Sequence, residues 1–265
     1  MSSSPHLVVV GAGLAGLAAA RRLRAAGARV TVLEREASVG GRARTAEVEG
    51  CRLELGAEFL ASFYTRTLAL VRELGLEGDL RRIPRSAAIL RDGRLHPLWP
   101  SPRLAFTHLV GSRQKLVLSY LVGSLLRHSP ELNLHAFERA HAVDDASISD
   151  YARAHLSEEL LEYVLQPPLS GIFYWTPERT SRALLLLVLR AGLSQLRGMQ
   201  LFTLREGLGQ LPRALAAGLD VRLAVEVVAI EPHPAGGYTL RARAGDGELC
   251  LEADGVVVAT TATVV

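Results

Sequence analysis

The chain has 265 residues, with 30 basic and 27 acidic side chains, a formal net charge of +3 and 49% hydrophobic residues. That composition excludes an intrinsically disordered chain, which needs low hydrophobicity and high net charge. Two cysteines, Cys51 and Cys250, exclude a disulfide scaffold; far apart and without metal-ligand spacing, they read as buried apolar thiols, and no metal site is expected.

Lys115 is the only lysine, and the arginines are scattered among acids rather than gathered in a basic arm, so nucleic-acid binding is not indicated. No stretch reaches the roughly 18 apolar residues of a membrane-spanning helix. Leu7 to Ala20 is apolar, but Met1 to His6 contains no Lys or Arg, and Arg21, Arg22 and Arg24 follow it. That polarity is wrong for a secretory signal, so a cytoplasmic or membrane-peripheral location is expected.

Leu7 to Val10 is a short continuous apolar run, the pattern of a strand buried on both faces. It ends in Gly11-Ala12-Gly13-Leu14-Ala15-Gly16, after which Leu17 to Ala26 reads as a helix closed by Gly27. Arg29 to Leu33 is a second strand, and Glu34 follows it. Thr45 to Leu55 and Ala87 to Leu95 read as hairpins, with a helix over residues 62 to 75 between them. From about 100 to 200 the pattern is helical, in Leu116 to Leu126, Leu156 to Leu165 and Ala183 to Leu196, separated by Pro167-Pro168 and Trp175-Thr176-Pro177. Gly207 to Ala217 is a helix with Pro212 in its first turn. Val221 to Ile230, Tyr238 to Ala244, Glu248 to Glu252 and Val256 to Ala259 are strands.

The glycine turn has the context that gives it meaning. A buried strand precedes it, a helix follows, and a carboxylate closes the next strand. Gly11 permits the tight turn, Gly13 lets a pyrophosphate approach the backbone, and Gly16 lets helix and strand pack closely. The helix tip offers free N–H groups and partial positive charge to phosphates. Glu34 is placed to accept from both hydroxyls of an adenosine ribose, and would repel a 2′-phosphate; Arg35 beside it reads as solvent-facing. Gly40-Gly41-Arg42, then Arg44-Thr45, suit a loop folding back over a diphosphate, with Arg42 supplying charge-assisted hydrogen bonds. A nicotinamide dehydrogenase would place a compact second βαβ half directly after Glu34, where this chain has hairpins and a loop.

The run VVVGAGLAGLAAARRLRAAGARVTVLEREASVGGRART resembles the N-terminal segment of the superfamily of flavin-containing amine oxidases, protoporphyrinogen oxidases and carotenoid desaturases. GCRLELGAEFL, LREGLGQLPRALA and ADGVVVATTA resemble later segments of the same group, less sharply. The resemblance implies an α/β fold: a Rossmann-like FAD-binding domain of the glutathione-reductase type, in segments 1–80 and 201–265, with a mainly helical substrate domain inserted over 81–200. It implies FAD as cofactor. Gly11, Gly13 and Gly16 then hold the pyrophosphate, with Ala12, Leu14 and Ala15 in the same turn and Arg35 beside the ribose-binding Glu34. Gly40, Gly41 and Arg42 border the diphosphate and flavin side, and Gly56 and Ala57 lie near the isoalloxazine. The backbone of Val227 meets the adenine, although by pattern alone Val227 is a core strand residue. Glu54 stands where the family often has Asp.

Members of that group usually continue past the point matching Val265, with more substrate domain, a last FAD-contacting segment and, in some, a lysine near the flavin N5. Lys115 does not match that lysine. The expectation is therefore the N-terminal part of an enzyme, with an apolar surface suited to a partner chain. The implied reaction is hydride transfer to flavin from an apolar, amine or porphyrinogen-like small molecule. The alternative is a non-catalytic flavin-fold fragment or half-subunit.

No acid, base or nucleophile is assigned, and the eight histidines show no Ser/His/Asp or metal spacing. The Leu-rich helices of the insert suggest an apolar substrate or a face resting on a membrane. Arg81, Arg82, Arg85, Arg91 and Arg94 read as a solvated face, and Tyr174-Trp175 as local packing.

Overall fold

The structure is a computed structural model that describes residues 4–84, 88–97, 109–134, 136–193, 200–245 and 247–261. The chain forms two compact units, one from Met1–Ile83 with Leu201–Val265 and one from Pro84–Gln200. The elements in chain order are β1 (His6–Val10), α1 (Leu14–Ala25), β2 (Arg29–Leu33), β3 (Thr45–Val48), β4 (Cys51–Glu54), β5 (Leu60–Ala61), α2 (Thr65–Glu73), β6 (Leu80–Arg82), β7 (Ala88–Arg91), β8 (Arg94–Pro97), α3 (Ser112–Arg127), α4 (Ile148–His155), α5 (Glu158–Leu160), α6 (Gln166–Phe173), α7 (Arg182–Leu193), β9 (Leu201–Leu204), α8 (Gln210–Ala216), β10 (Asp220–Arg222), β11 (Val225–Pro232), β12 (Tyr238–Ala244), β13 (Gly247–Ala253) and β14 (Gly255–Val258).

The first unit is organised by a four-stranded parallel sheet in the order β10-β2-β1-β14, with Val9 opposite Val32 and Val257. Successive strand residues point to opposite faces. Val9, Val30 and Val32 therefore pack with Leu17 and Ala20 of α1, Leu68 and Val71 of α2, and Leu211 and Leu215 of α8. Val8 and Leu33 point the other way, against Leu240, Ala242 and Leu251 of the antiparallel meander β11-β12-β13. Both faces of the sheet are covered, which is why its strands read as unbroken apolar runs. Gly27 and Gly75, at φ +93° and +72°, end α1 and α2. In each case the following residue donates back to the helix, Ala28 to the Leu23 carbonyl at 3.2 Å and Leu76 to that of Val71 at 2.9 Å.

The sequence pattern treats Val221 to Ile230 as one strand, whereas the chain divides it. β10 joins the parallel sheet beside β2, the chain turns at Ala224 (φ +55°), and β11 enters the meander. Alternation is the same on both sides of that turn, so hydrophobic pattern alone does not reveal the change of sheet.

In the second unit, Ile148, Tyr151, Leu161, Leu165, Leu186 and Leu187 form the centre of a helical core. Ser147 and Ser157 cap α4 and α5 by accepting the N–H of Asp150 at 3.0 Å and Leu160 at 3.2 Å. Pro167-Pro168 does not break the chain as the pattern implies. Leu161–Leu165 forms a π-helical turn that runs on into α6, and both prolines fall in the first turn of α6, the part of a helix that tolerates proline best. The predicted helix end at Leu196 lies outside the described residues. Among the described residues, no helix is long and apolar enough to cross a membrane.

Cys51 and Cys250 are both exposed, against the expectation of buried thiols. Each sits in a strand of an antiparallel pair whose outward face meets solvent. Arg91 also departs from the solvated face: its Nη1 lies 2.6 Å from Glu159 Oε1 and its guanidinium stacks 4.2 Å from the Tyr163 ring centroid. Arg81, Arg82 and Arg94 are exposed, and Arg85 lies outside the described residues.

Candidate functional site

A groove of about 690 Å³ runs along the carboxyl ends of β1, β2 and β14. This is where an open parallel sheet leaves room, because the chain departs there in different directions to reach its next elements. Gly11 makes the turn out of β1 at φ +103° and donates to the Leu33 carbonyl at 2.8 Å. A Cβ at Gly11 would come within 2.9 Å of the Ala259 carbonyl oxygen, so β14 closes over this residue. At Gly16 a Cβ would overlap the Gly11 carbonyl oxygen, and α1 lies against the turn only because that atom is missing.

Gly13 is different. It is the residue before α1, with extended φ −72° and ψ 175°, and a Cβ there would meet nothing within 4 Å. No packing contact accounts for its lack of a side chain; it leaves open space at the helix tip. The helix has no side-chain cap and no acid in its first turn. Its first i→i−4 bond runs from Leu17 to Gly13 at 3.0 Å, so the N–H groups of Leu14, Ala15 and Gly16 lie ahead of the helical ladder. The tip is thus a set of donors with partial positive charge, and Gly13, Leu14 and Ala15 line the groove.

Glu34 closes β2 and is only 8% exposed. Its Oε2 accepts the Ala12 N–H at 2.7 Å and its Oε1 the Glu36 N–H at 3.0 Å. Each carboxylate oxygen keeps a second lone-pair direction for a further donor. The Glu34 backbone is fixed on both sides, donating to Arg222 at 2.9 Å and accepting from Val225 at 2.8 Å.

The segment after β2 folds back over the tip of α1. Gly40 donates to the Ala12 carbonyl at 2.9 Å and pairs with Gly13 in a parallel bridge. Gly40 and Gly41 take φ +119° and +54° to do so. Arg42 is exposed on the groove, Arg35 pairs with Glu36 at 3.4 Å, and Arg44 reaches Glu36 at 3.5 Å. The Nε of Arg44 is sealed from solvent and has no acceptor among the described residues, an orphaned donor in a residue that lines the groove.

Of the residues singled out in the sequence, Gly11, Gly13, Leu14, Ala15, Glu34, Arg35, Gly40, Gly41, Arg42, Ala57 and Val227 line this groove. Ala12, Gly16 and Gly56 do not. Ala12 is fully buried and acts through its N–H on Glu34. Gly16 is a packing position. Gly56 lies under the Arg42 carbonyl, where a Cβ would overlap the oxygen, and Ala57 donates to that same carbonyl at 2.7 Å. Sequence reasoning missed Glu36, Val225, Glu226, Thr260 and Thr261 as lining residues. Thr260 and Thr261 were open to discovery by the rule that ligands gather at the carboxyl ends of parallel strands.

The helical unit holds a second cavity of about 610 Å³, lined by Tyr120, Ser124, Asp145, Tyr151, His155 and Arg182 among others. Arg182 is held by Asp145 at 2.5 and 2.8 Å and lies 5.1 Å from the Tyr151 ring centroid. Tyr174 is exposed at φ +55°, and Trp175 stacks on Phe173 at 4.8 Å.

Residues 14–265 match the family model described as flavin containing amine oxidoreductase. Over 154 residues the chain is 38% identical to putrescine oxidase from Kocuria rosea, a match covering 58% of this chain and 32% of that protein. Over 185 residues it is 29% identical to the mitochondrial protoporphyrinogen oxidase of Nicotiana tabacum, covering 68% and 35%. The fold is similar to that of a putrescine oxidase solved with putrescine bound, with a TM-score of 0.73 at 23% identity over 97% of this chain and 58% of that one. The matched stretches thus span about a third of these two curated relatives.

Proposed function

The chain belongs to the flavin containing amine oxidoreductase family, and on that premise we propose that its groove holds FAD for the oxidation of a small molecule. The observation that carries this reading is the open space over Gly13 at an uncapped helix tip, next to a nearly buried carboxylate with acceptor capacity to spare. A dinucleotide fits both. Its pyrophosphate takes the tip donors, and its adenosine ribose takes Glu34. The orphaned Nε of Arg44 adds a donor on the same side.

The residues divide the work by position. Leu14 and Ala15 offer N–H groups to the pyrophosphate, and Gly13 leaves it room. Glu34, preset by Ala12 and Glu36, accepts from the ribose hydroxyls. Val225 to Val227 bring strand backbone to the adenine end. Gly40, Gly41 and Arg42 cover the diphosphate from above, where the Arg42 guanidinium balances its charge. Ala57, held by the Arg42 carbonyl, stands toward the flavin end. When bound, the flavin supplies the redox chemistry by accepting a hydride or its equivalent. The chain's own part is to bind, orient and exclude water. The substrate proposed is an amine or an apolar, porphyrinogen-like molecule, the classes named for the matched relatives.

The test is flavin content. The purified chain is expected to carry FAD, or to take it up from solution, and to release it on denaturation for identification by chromatography. A folded chain that binds no FAD at micromolar concentrations overturns the reading. Turnover is measured separately, with a diamine and with a porphyrinogen.

A further inference from the structure

The cavity of the helical unit is lined by that unit alone and shares no residue with the groove. Two helices build it with matching stripes. On α3, Tyr120, Gly123, Ser124 and Arg127 recur at the i, i+3, i+4, i+7 spacing of a single helix face. On α4, Tyr151, Ala154 and His155 do the same. The Tyr120 and His155 rings stack across the two helices, with centroids 5.0 Å apart and planes 13° from parallel. Tyr151 lies beside them, its ring 5.3 Å from that of His155 and its hydroxyl without a partner among the described residues. The small side of each stripe, Gly123 and Ala154, leaves the space between the helices open.

Gly123 is the telling position. It lies inside α3, where glycine weakens a helix relative to alanine. Its backbone is not in the left-handed region, and a Cβ there would meet nothing within 4 Å. Neither strain nor packing accounts for the missing side chain; it leaves room in the cavity, as Gly13 does in the groove. At about 610 Å³ the cavity is the size of a small-molecule site.

The charges around it select the occupant. Asp145 commits both oxygens to Arg182, at 2.5 and 2.8 Å, and Asp150 accepts the Ser147 hydroxyl at 2.7 Å. The Arg127 guanidinium, by contrast, has neither a hydrogen bond nor an ion pair among the described residues. Arg127 stands seven residues beyond Tyr120 on the same face, about 10 Å along the helix axis. Stacked aromatic rings with an uncommitted guanidinium at that distance suit a flat ring carrying an acid group. An amine would meet the unpaired cation instead, with both carboxylates already engaged.

We propose that this cavity binds a flat aromatic carboxylate, its ring against the Tyr120–His155 stack and its carboxylate on Arg127. The site goes beyond FAD binding and does not depend on it.

The experiment is titration of the whole chain with 2-naphthoate by calorimetry, with flavin content measured on every sample. Naphthalene-2-methanol and 2-naphthylmethylamine supply the neutral and cationic comparisons on the same ring. One saturable site is expected, with 2-naphthoate bound at least about tenfold tighter than either comparison, the effect of a charge-assisted hydrogen bond. Arg127→Gln should weaken 2-naphthoate about tenfold and leave the alcohol unchanged. Tyr120→Leu should weaken both by about fivefold. Gly123→Leu should fill the cavity and abolish binding with the melting temperature kept, because nothing lies within 4 Å of the new Cβ. Arg127 is exposed, so its variant reads the site even if Gly123→Leu disturbs the helix. The proposal is overturned if 2-naphthoate does not bind, if the alcohol or the amine binds as tightly, or if binding survives either Arg127→Gln or a folded Gly123→Leu. A flavin spectrum that shifts with 2-naphthoate in the parent and in Gly123→Leu alike would put the ligand at the flavin and overturn it as well. Absence of flavin with intact 2-naphthoate binding would count against the groove assignment alone.

Discussion

The Glu34 carboxylate accepts the backbone N–H of Ala12 at 2.7 Å, across the gap between the ends of two neighbouring parallel strands. Ala12 is fully buried, so this N–H has no water to turn to. The side chain therefore has two roles, fixing the glycine turn and presenting acceptors to the groove. Glu34→Ala should cost the flavin-free protein about 1–3 kcal/mol in urea unfolding, the price of an unmade buried hydrogen bond. It should also weaken FAD binding by a similar amount, read by fluorescence titration. A loss in affinity with unchanged flavin-free stability would mean that the Ala12 contact contributes nothing to the fold.

Gly13 and Gly16 separate binding from folding. Gly13 has empty space where a side chain would go and a backbone conformation open to any residue. Gly13→Val should keep the flavin-free melting temperature, with a change within about 0.5 kcal/mol, and lose most FAD occupancy. Gly16→Ala has no such room, since its methyl would overlap the Gly11 carbonyl. It should destabilise the first unit by several kcal/mol, about 3 or more, and yield little soluble protein. Circular dichroism melts alongside flavin content distinguish the two.

The readable part of this chain is the part fixed by local chemistry. Gly11, Gly13, Gly16 and Glu34 lie within one βαβ step, where spacing along the chain is nearly spacing in the fold. Glu226 and Thr261 reach the same groove from two segments far along the chain, and nothing local marks them as neighbours of Glu34. The alanine side chain of Ala12 gives no hint that its N–H donates to the Glu34 carboxylate. The exposure of Cys51 and Cys250 was misread because an apolar-looking strand residue faces inward or outward according to a register that the sequence does not print.

Two tyrosines set an alkaline limit. Burial raises the ionisation of Tyr64 in the first unit and of Tyr151 in the second above the ordinary value of 10.0, with a nearby Ser124 offsetting part of the Tyr151 shift. Among the described residues the Tyr151 hydroxyl is nevertheless sealed without a partner of hydrogen-bond geometry. Below pH 10 both folded and unfolded states hold the proton, and stability does not depend on it. Above pH 10 the unfolded chain releases the proton first, so stability falls as pH rises through the folded-state values. Urea midpoints should therefore decline above pH 10, and Tyr151→Phe should flatten the decline. At pH 7 the same substitution should be neutral or mildly stabilising, because it removes an unpaired polar atom from the core. A clear loss at pH 7 would assign the hydroxyl a partner.

Thr45 joins distant parts of the first unit. Its Oγ1 donates to Glu54 Oε2 at 2.7 Å and accepts the Gly209 N–H at 2.8 Å, while Glu54 Oε1 accepts the Leu208 N–H at 2.8 Å. The hairpin that follows the groove loop is thereby tied to the segment entering α8. Gly207, at φ +80°, makes the approach possible, since a Cβ there would lie 2.5 Å from Thr45 Oγ1. The same segment supports the groove, because Pro212 of α8 packs close to Gly40, where an added Cβ would come within 3.1 Å of its ring. Thr45→Val keeps the shape and removes both hydrogen bonds, stranding the Gly209 N–H and one Glu54 oxygen. It should cost about 1–3 kcal/mol, and FAD should dissociate faster as the loop over Gly13 loosens. Thr45→Ser retains the hydroxyl and should restore both stability and dissociation rate to near the parent. If serine fails where valine fails, the methyl group rather than the hydrogen-bonded bracket holds these segments together.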